Sequence, residues 1–123
     1  MLSVPMTFLP AWGPEVAMTI THFQEALPMP EKERAMLPLI DVKDDTKLVL
    51  VALPAGLDIA PHKAPYPASV QLLTGRIEAL KGKTWIPVVP GERVVFDQDE
   101  LHSVKALEPS YLLVTHMRGQ AKP

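Results

Sequence analysis

Apolar positions along this chain come in short runs, each cut off by proline, glycine or a charged turn. Residues 47–53, from Lys47 to Leu53, form a β-branched, apolar run that predicts a strand ending at Pro54. Gly56 and Pro61 bracket a second strand, and residues 69–74 predict a third that stops at Gly75. Residues 76–80 alternate polar with apolar, and Lys81, Gly82 and Lys83 turn that strand back into residues 84–89. Pro90 and Gly91 make the next turn, before a strand over 93–96. An acidic tip, Asp97 to Glu100, leads to an alternating strand over 102–107, and Glu108, Pro109 and Ser110 turn into residues 111–116. The pattern predicts about seven to nine short strands, with turn signals roughly every 8–12 residues. No long helical periodicity competes. The fold class is all-β, a sandwich or a jelly-roll barrel.

The first thirty residues break this rhythm. They are apolar but irregular, interrupted by Trp12, Gly13 and Pro14 and again by Pro28 and Pro30. They predict an extended arm with one short strand near Met18–Phe23. Exposed apolar patches are avoided, so such an arm is expected to lie on the barrel or on a second subunit, which predicts a homodimer. Pro30 suits the first position of a helical turn over 31–36, and Pro38 would end it. The expected division is an arm over 1–36 and a barrel over 37–123, within one domain.

Composition narrows the function classes. With 47% hydrophobic residues in 123, a core forms without metals or disulfides, and the absence of cysteine removes thiolate chemistry altogether. Twelve basic residues against fourteen acidic ones give no basic stripe, so a nucleic-acid partner is not expected. No segment approaches eighteen uninterrupted apolar residues, and Met1 to Met18 has neither the basic start nor the unbroken run of a secretory signal. No membrane association is expected, and the cytoplasm is the expected compartment. Fourteen prolines are about double the usual share. They stand singly between the apolar runs, as turns require.

Five anchors in this pattern resemble the cupin family. Its first motif runs glycine, five residues, histidine, one residue, histidine, three or four residues, glutamate, six residues, glycine. Gly56, His62 and Gly75 fall at those places, while Ala64 and Ala68 (or Ser69 on the longer spacing) stand at the second histidine and the glutamate. Gly91 and His102 match the second motif, where Asp97, Asp99 and Ala106 replace its proline, second glycine and asparagine. The resemblance spans about residues 45–118 and implies a double-stranded β-helix with a metal held by three histidines and a carboxylate. Here that ligand list shrinks to His62 and His102.

Side chains two apart in a strand face one side, so His62 and Ala64 are expected to point inward, with Ala68 and His102 entering from neighbouring strands. A catalytic zinc takes three protein ligands, and a non-haem iron takes two histidines and a carboxylate. Two imidazoles alone make a poor cage. His116 is a candidate third ligand, although its strand is apolar on both sides and parity does not decide its direction. Asp97 and Asp99 occupy the turn before His102, where carboxylates are usually solvated, and Glu78 reads as an outer-face residue. Trp12 and Trp85 read as core or interface fillers, and His22 as structural or exposed.

Two functions follow. The first is a cupin that binds a small molecule without catalysis, in a pocket lined by Val70, Leu72, Val104, His62 and His102. The alternative is a metal-dependent enzyme, a dioxygenase or isomerase, using His62, His102 and a substitute such as His116 to hold a divalent transition metal. The cofactor is accordingly either none or that metal. An interaction module remains a third class.

Overall fold

The computed structural model describes residues 22–120. Among them are nine strands: β1 (Ala35–Asp41), β2 (Thr46–Leu53), β3 (Asp58–His62), β4 (Ala68–Thr74), β5 (Ile77–Lys81), β6 (Thr84–Val88), β7 (Arg93–Phe96), β8 (His102–Ala106) and β9 (Ser110–Met117). One helical turn, α1 (Phe23–Ala26), precedes them, and a 3-10 turn, Arg118–Gln120, follows. All pairings are antiparallel. They form a five-stranded sheet, β1-β2-β9-β4-β7, facing a four-stranded sheet, β3-β8-β5-β6. This is the all-β jelly roll that the turn spacing predicts.

Proline marks the edges. Pro38 lies in β1, Pro61 in β3 and Pro87 in β6, and each of these is the outermost strand of its sheet. Proline has no N–H to give to a ladder, so it fits an edge and blocks further pairing there. That chemistry corrects two expectations. The helical turn over 31–36 is absent: residues 31–33 bend, β1 opens at Ala35, and Pro38 sits inside that strand instead of ending a helix. Pro61 lies within β3 instead of closing it. Residues 18–21 of the expected Met18–Phe23 strand fall outside the described residues, and Phe23 itself opens α1.

Strand β2, next to the edge strand β1, is buried on both faces. Val49, Val51 and Leu53 point between the sheets, where they join Val70, Leu72, Ile77, Phe96, Val104 and Leu112 in the main core. Leu50 and Ala52 point to the outer face, which Phe23, Leu27 and Met29 cover together with Tyr111. The Tyr111 hydroxyl donates to the Leu27 carbonyl at 2.8 Å, and its ring meets Phe23 edge-on at 5.2 Å. Residues 23–29 therefore serve as a lid on the larger sheet. Trp85 is not a core residue: it lies on the edge strand β6 and is 44% exposed. His22 is exposed just before α1. Among the described residues, no helix is long and apolar enough to cross a membrane.

Candidate functional site

The space between the sheets is built in rows, because residues paired across an antiparallel ladder stand side by side on one face. The outermost row of the larger sheet runs Lys47, His116, Ala68, Phe96 across β2, β9, β4 and β7. Opposite it, His62 of β3 pairs with His102 of β8. The next row down is β-branched, Val49, Val114, Val70 and Val94, facing Ile59 and Val104. The third is Val51, Leu112 and Leu72. A cavity of about 410 Å³ occupies the upper levels and extends along the inner side of β1, past Met36 and Pro38, to Arg34. Its walls are mostly apolar; Lys47, His116, His62 and His102 gather in the first row, while Arg34 stands at the far end and Ser69 and Ser103 also line it.

Two imidazoles anchor that row. The rings of His62 and His102 lie 4.2 Å apart and edge-on. His102 is buried and stacks flat on Phe96 at 4.5 Å, whereas His62 stands at the mouth. Each ring is tied back to its own chain. Nδ1 of His62 donates to the Ala60 carbonyl and Nδ1 of His102 to the Glu100 carbonyl, both at 2.9 Å. A carbonyl only accepts, so Nδ1 carries a proton in each ring, and a neutral ring so tied keeps its lone pair on Nε2. The tie orients each ring and defines its tautomer.

Burial, then the charge of nearby His62, pushes the His102 pKa below its ordinary 6.5, against the hydrogen bond to Glu100. Burial does the same to His116, helped by Lys47 and Arg118. Both are therefore held neutral. Between 6.5 and the lower folded-state values, the unfolded chain binds more protons than the folded one. Stability is then full above about pH 6.5 and falls as the pH drops below it. The urea midpoint is expected to be lower near pH 5.5 than near pH 7.5, and less so in a His102→Gln, His116→Gln double variant. An unchanged or higher midpoint in acid would contradict neutral burial of these rings.

The structure places the residues expected to line the pocket at different depths. Val70, Val104, His62, His102 and His116 all border the cavity. Register settles the direction of His116, because it pairs with Ala68 on the inward face shared with Val114 and Leu112. Leu72 does not line the cavity. Its parity is inward as expected, but it lies in the third row, fully buried beneath the floor. Ala64 does not line it either: β3 ends at His62, alternation stops there, and the Ala64 carbonyl instead accepts the Asp99 N–H at 2.8 Å. Pattern reading passed over Lys47, Phe96 and Arg34. Lys47 was recoverable, since it shares parity with Val49 and Val51 on one strand.

Among the described residues, no carboxylate borders the cavity. The acidic tip is engaged elsewhere. Glu100 binds Lys81 at 2.6 Å and accepts the Asp97 N–H at 2.9 Å, and the Lys81 hydrogen bond holds its pKa below the ordinary range. Asp97 lies 3.8 Å from the same lysine, and Asp99 is exposed. Among the described residues, no three His, Cys, Asp or Glu side chains are spaced to hold a metal ion. The donors therefore do not fit the three-ligand sets of catalytic zinc or non-haem iron.

No protein-family model and no curated protein matches the sequence. Solved structures do match. The chain is similar to a conserved protein of unknown function from Streptococcus pyogenes, at 19% identity and a TM-score of 0.74, covering 80% of this chain and 85% of that one. A cupin superfamily protein from Desulfitobacterium hafniense matches at 12% identity and a TM-score of 0.72, covering 76% and 84%. An RmlC-like cupin from Desulfovibrio desulfuricans matches at 22% identity and a TM-score of 0.70, covering 80% and 95%. The fold is the cupin double-stranded β-helix.

Proposed function

We propose that this protein binds a small organic molecule between its sheets, without a complete metal site and without metal-dependent catalysis. The observation that carries this reading is the pairing of two imidazoles, each tied back through Nδ1 to its own chain, over a largely apolar cavity that no carboxylate among the described residues borders. A cavity of about 410 Å³ is in the usual range for a small-molecule site. The valine row supplies apolar contact, and the imidazoles orient a polar group by accepting hydrogen bonds. The metal-dependent dioxygenase or isomerase is the competing reading, and the test separates them.

Protein purified without a metal-affinity step is denatured, and the released small molecules and metals are measured by mass spectrometry. The expected result is a released organic compound, diminished in a folded His102→Ala variant, with no transition metal near one per chain. Incubation with Fe, Mn, Ni, Cu or Zn should also leave no stoichiometric ion after dialysis. A stoichiometric metal that disappears in both His62→Ala and His102→Ala would overturn the reading in favour of the enzyme.

A further inference from the structure

Charge in the cavity points one way. Among the described residues, Arg34 and Lys47 border it and no Asp or Glu does. Lys47 is half-buried in the same row as His116, one strand away. Among the described residues, no carboxylate lies within ion-pair distance of it. Asp41, its register partner on β1, is engaged by Arg118 at 2.6 Å, and that guanidinium also donates to the Val42 carbonyl at 2.6 Å. A partly desolvated ammonium without a counter-ion is unfavourable, so the protein holds a cation in a place where an anion would be stabilised. Across the cavity, the Nε2 of His102 presents the opposite requirement: with Nδ1 bound to the Glu100 carbonyl, this buried ring offers a lone pair that calls for a donor. Between these poles the lining is chiefly apolar, with Val49, Val70, Val104, Val114 and Phe96 beside Ser69, Ser103 and His116.

We infer that the ligand is a hydroxylated organic monocarboxylate, its carboxylate at Lys47, its apolar body against the valine row and its hydroxyl donating to His102. This rests on the cavity being the ligand site. A carboxylate is favoured over a phosphate because one ammonium at this level supplies a single charge, whereas phosphate sites gather several donors such as arginine clusters or backbone nests. Arg34 does not join Lys47 there. Ala35 pairs with Ala52, five residues along β2 from Lys47, so Arg34 belongs to the far end of the lining.

The test is calorimetric titration of the full chain with 3-hydroxybenzoate, 4-hydroxybenzoate and 6-hydroxyhexanoate, each beside its neutral amide and its dehydroxy acid. At least one acid should bind about tenfold more tightly than its amide, the effect of a hydrogen bond to a charged group. Lys47→Met, which keeps the apolar stem, should abolish that preference while its melting temperature stays near the parent's; Lys47→Arg should retain it. His102→Ala should erase the advantage of the hydroxyl but not of the charge. Amides that bind as well as acids, or a preference that survives Lys47→Met, would overturn the anion site and leave cavity binding standing. Inorganic phosphate that displaces the acids at equal concentration would overturn the choice of carboxylate. Failure of the whole series to bind would overturn the assigned class, while the compound released on denaturation judges the cavity reading by itself.

Discussion

Leu72→Ala is expected to lower stability by about 3–4 kcal/mol and the melting temperature by roughly 10 °C or more. Leu72 is fully buried in the middle of β4, paired with Leu112 of β9 and packed in the core between the sheets. Truncation removes the transfer energy of the lost methyl groups and leaves a hollow whose walls cannot close. The strand is fastened on both flanks: β9 lies on one side, and on the other the Leu72 carbonyl accepts from Gly91 and its N–H donates to Glu92. A loss of this size is a large fraction of the roughly 5–15 kcal/mol that such a domain possesses. Urea denaturation with a thermal melt measures it. A cost below about 1.5 kcal/mol would mean that the side chain already borders an open space, as parity alone suggested.

Leu72 also marks the boundary of what the chain discloses about itself. Turn chemistry is local, so Gly56, Gly75, Gly82 and Gly91 each end or reverse a strand where the pattern places them. Side-chain parity is local as well, and it sends Val70, Leu72, His102 and Val104 inward correctly. Depth is not local. It depends on which rows of two separate sheets come opposite each other, and alternation carries no trace of that. His116 illustrates the same limit, because β9 is apolar on both faces and only its register with Ala68 turns the ring inward. The three edge prolines went unread for a related reason: a proline says that its N–H needs no partner, and a turn satisfies that condition as well as an edge does.

Candidate chemistry was legible to a similar degree. The coincidence of His62 and His102 at two distant motif positions anticipates their meeting, and their rings do meet across the β3–β8 ladder. The sequence also marks the lost ligands as alanines. Ala68 stands in the first row where a longer side chain would enter the cavity, whereas Ala64 lies beyond the end of its strand. Parity with Val49 and Val51 points Lys47 inward, but a lysine at a strand's start is ordinarily solvated and parity alone does not mark it as a site residue. Its significance comes from three-dimensional facts, namely the register with His116 and the engagement of Asp41 by Arg118.

Gly75→Ala is the second large effect, expected to cost about 3 kcal/mol or more. Gly75 joins β4 to β5 with a φ of +98°, a conformation that disfavours any side chain by roughly 1–2 kcal/mol. Space is the greater difficulty. An added Cβ would fall on the Ser110 Oγ and the Pro109 carbonyl oxygen, and within 2.8 Å of the Ser110 Cα. Two of those three atoms belong to the backbone, and Ser110 is fully buried, its hydroxyl accepting the Arg76 N–H at 3.2 Å. Relief would require moving the turn at 108–110 that feeds β9, the strand at the centre of the larger sheet. Overpacking of this kind adds about 1–3 kcal/mol. Gly91→Ala is the control, since Gly91 has a φ of +93° but nothing within 4 Å of the added carbon. It should lose only the backbone part, about 1–2 kcal/mol. Equal losses from the two variants, measured by urea denaturation, would mean that the contact with Ser110 and Pro109 is not what requires glycine at position 75.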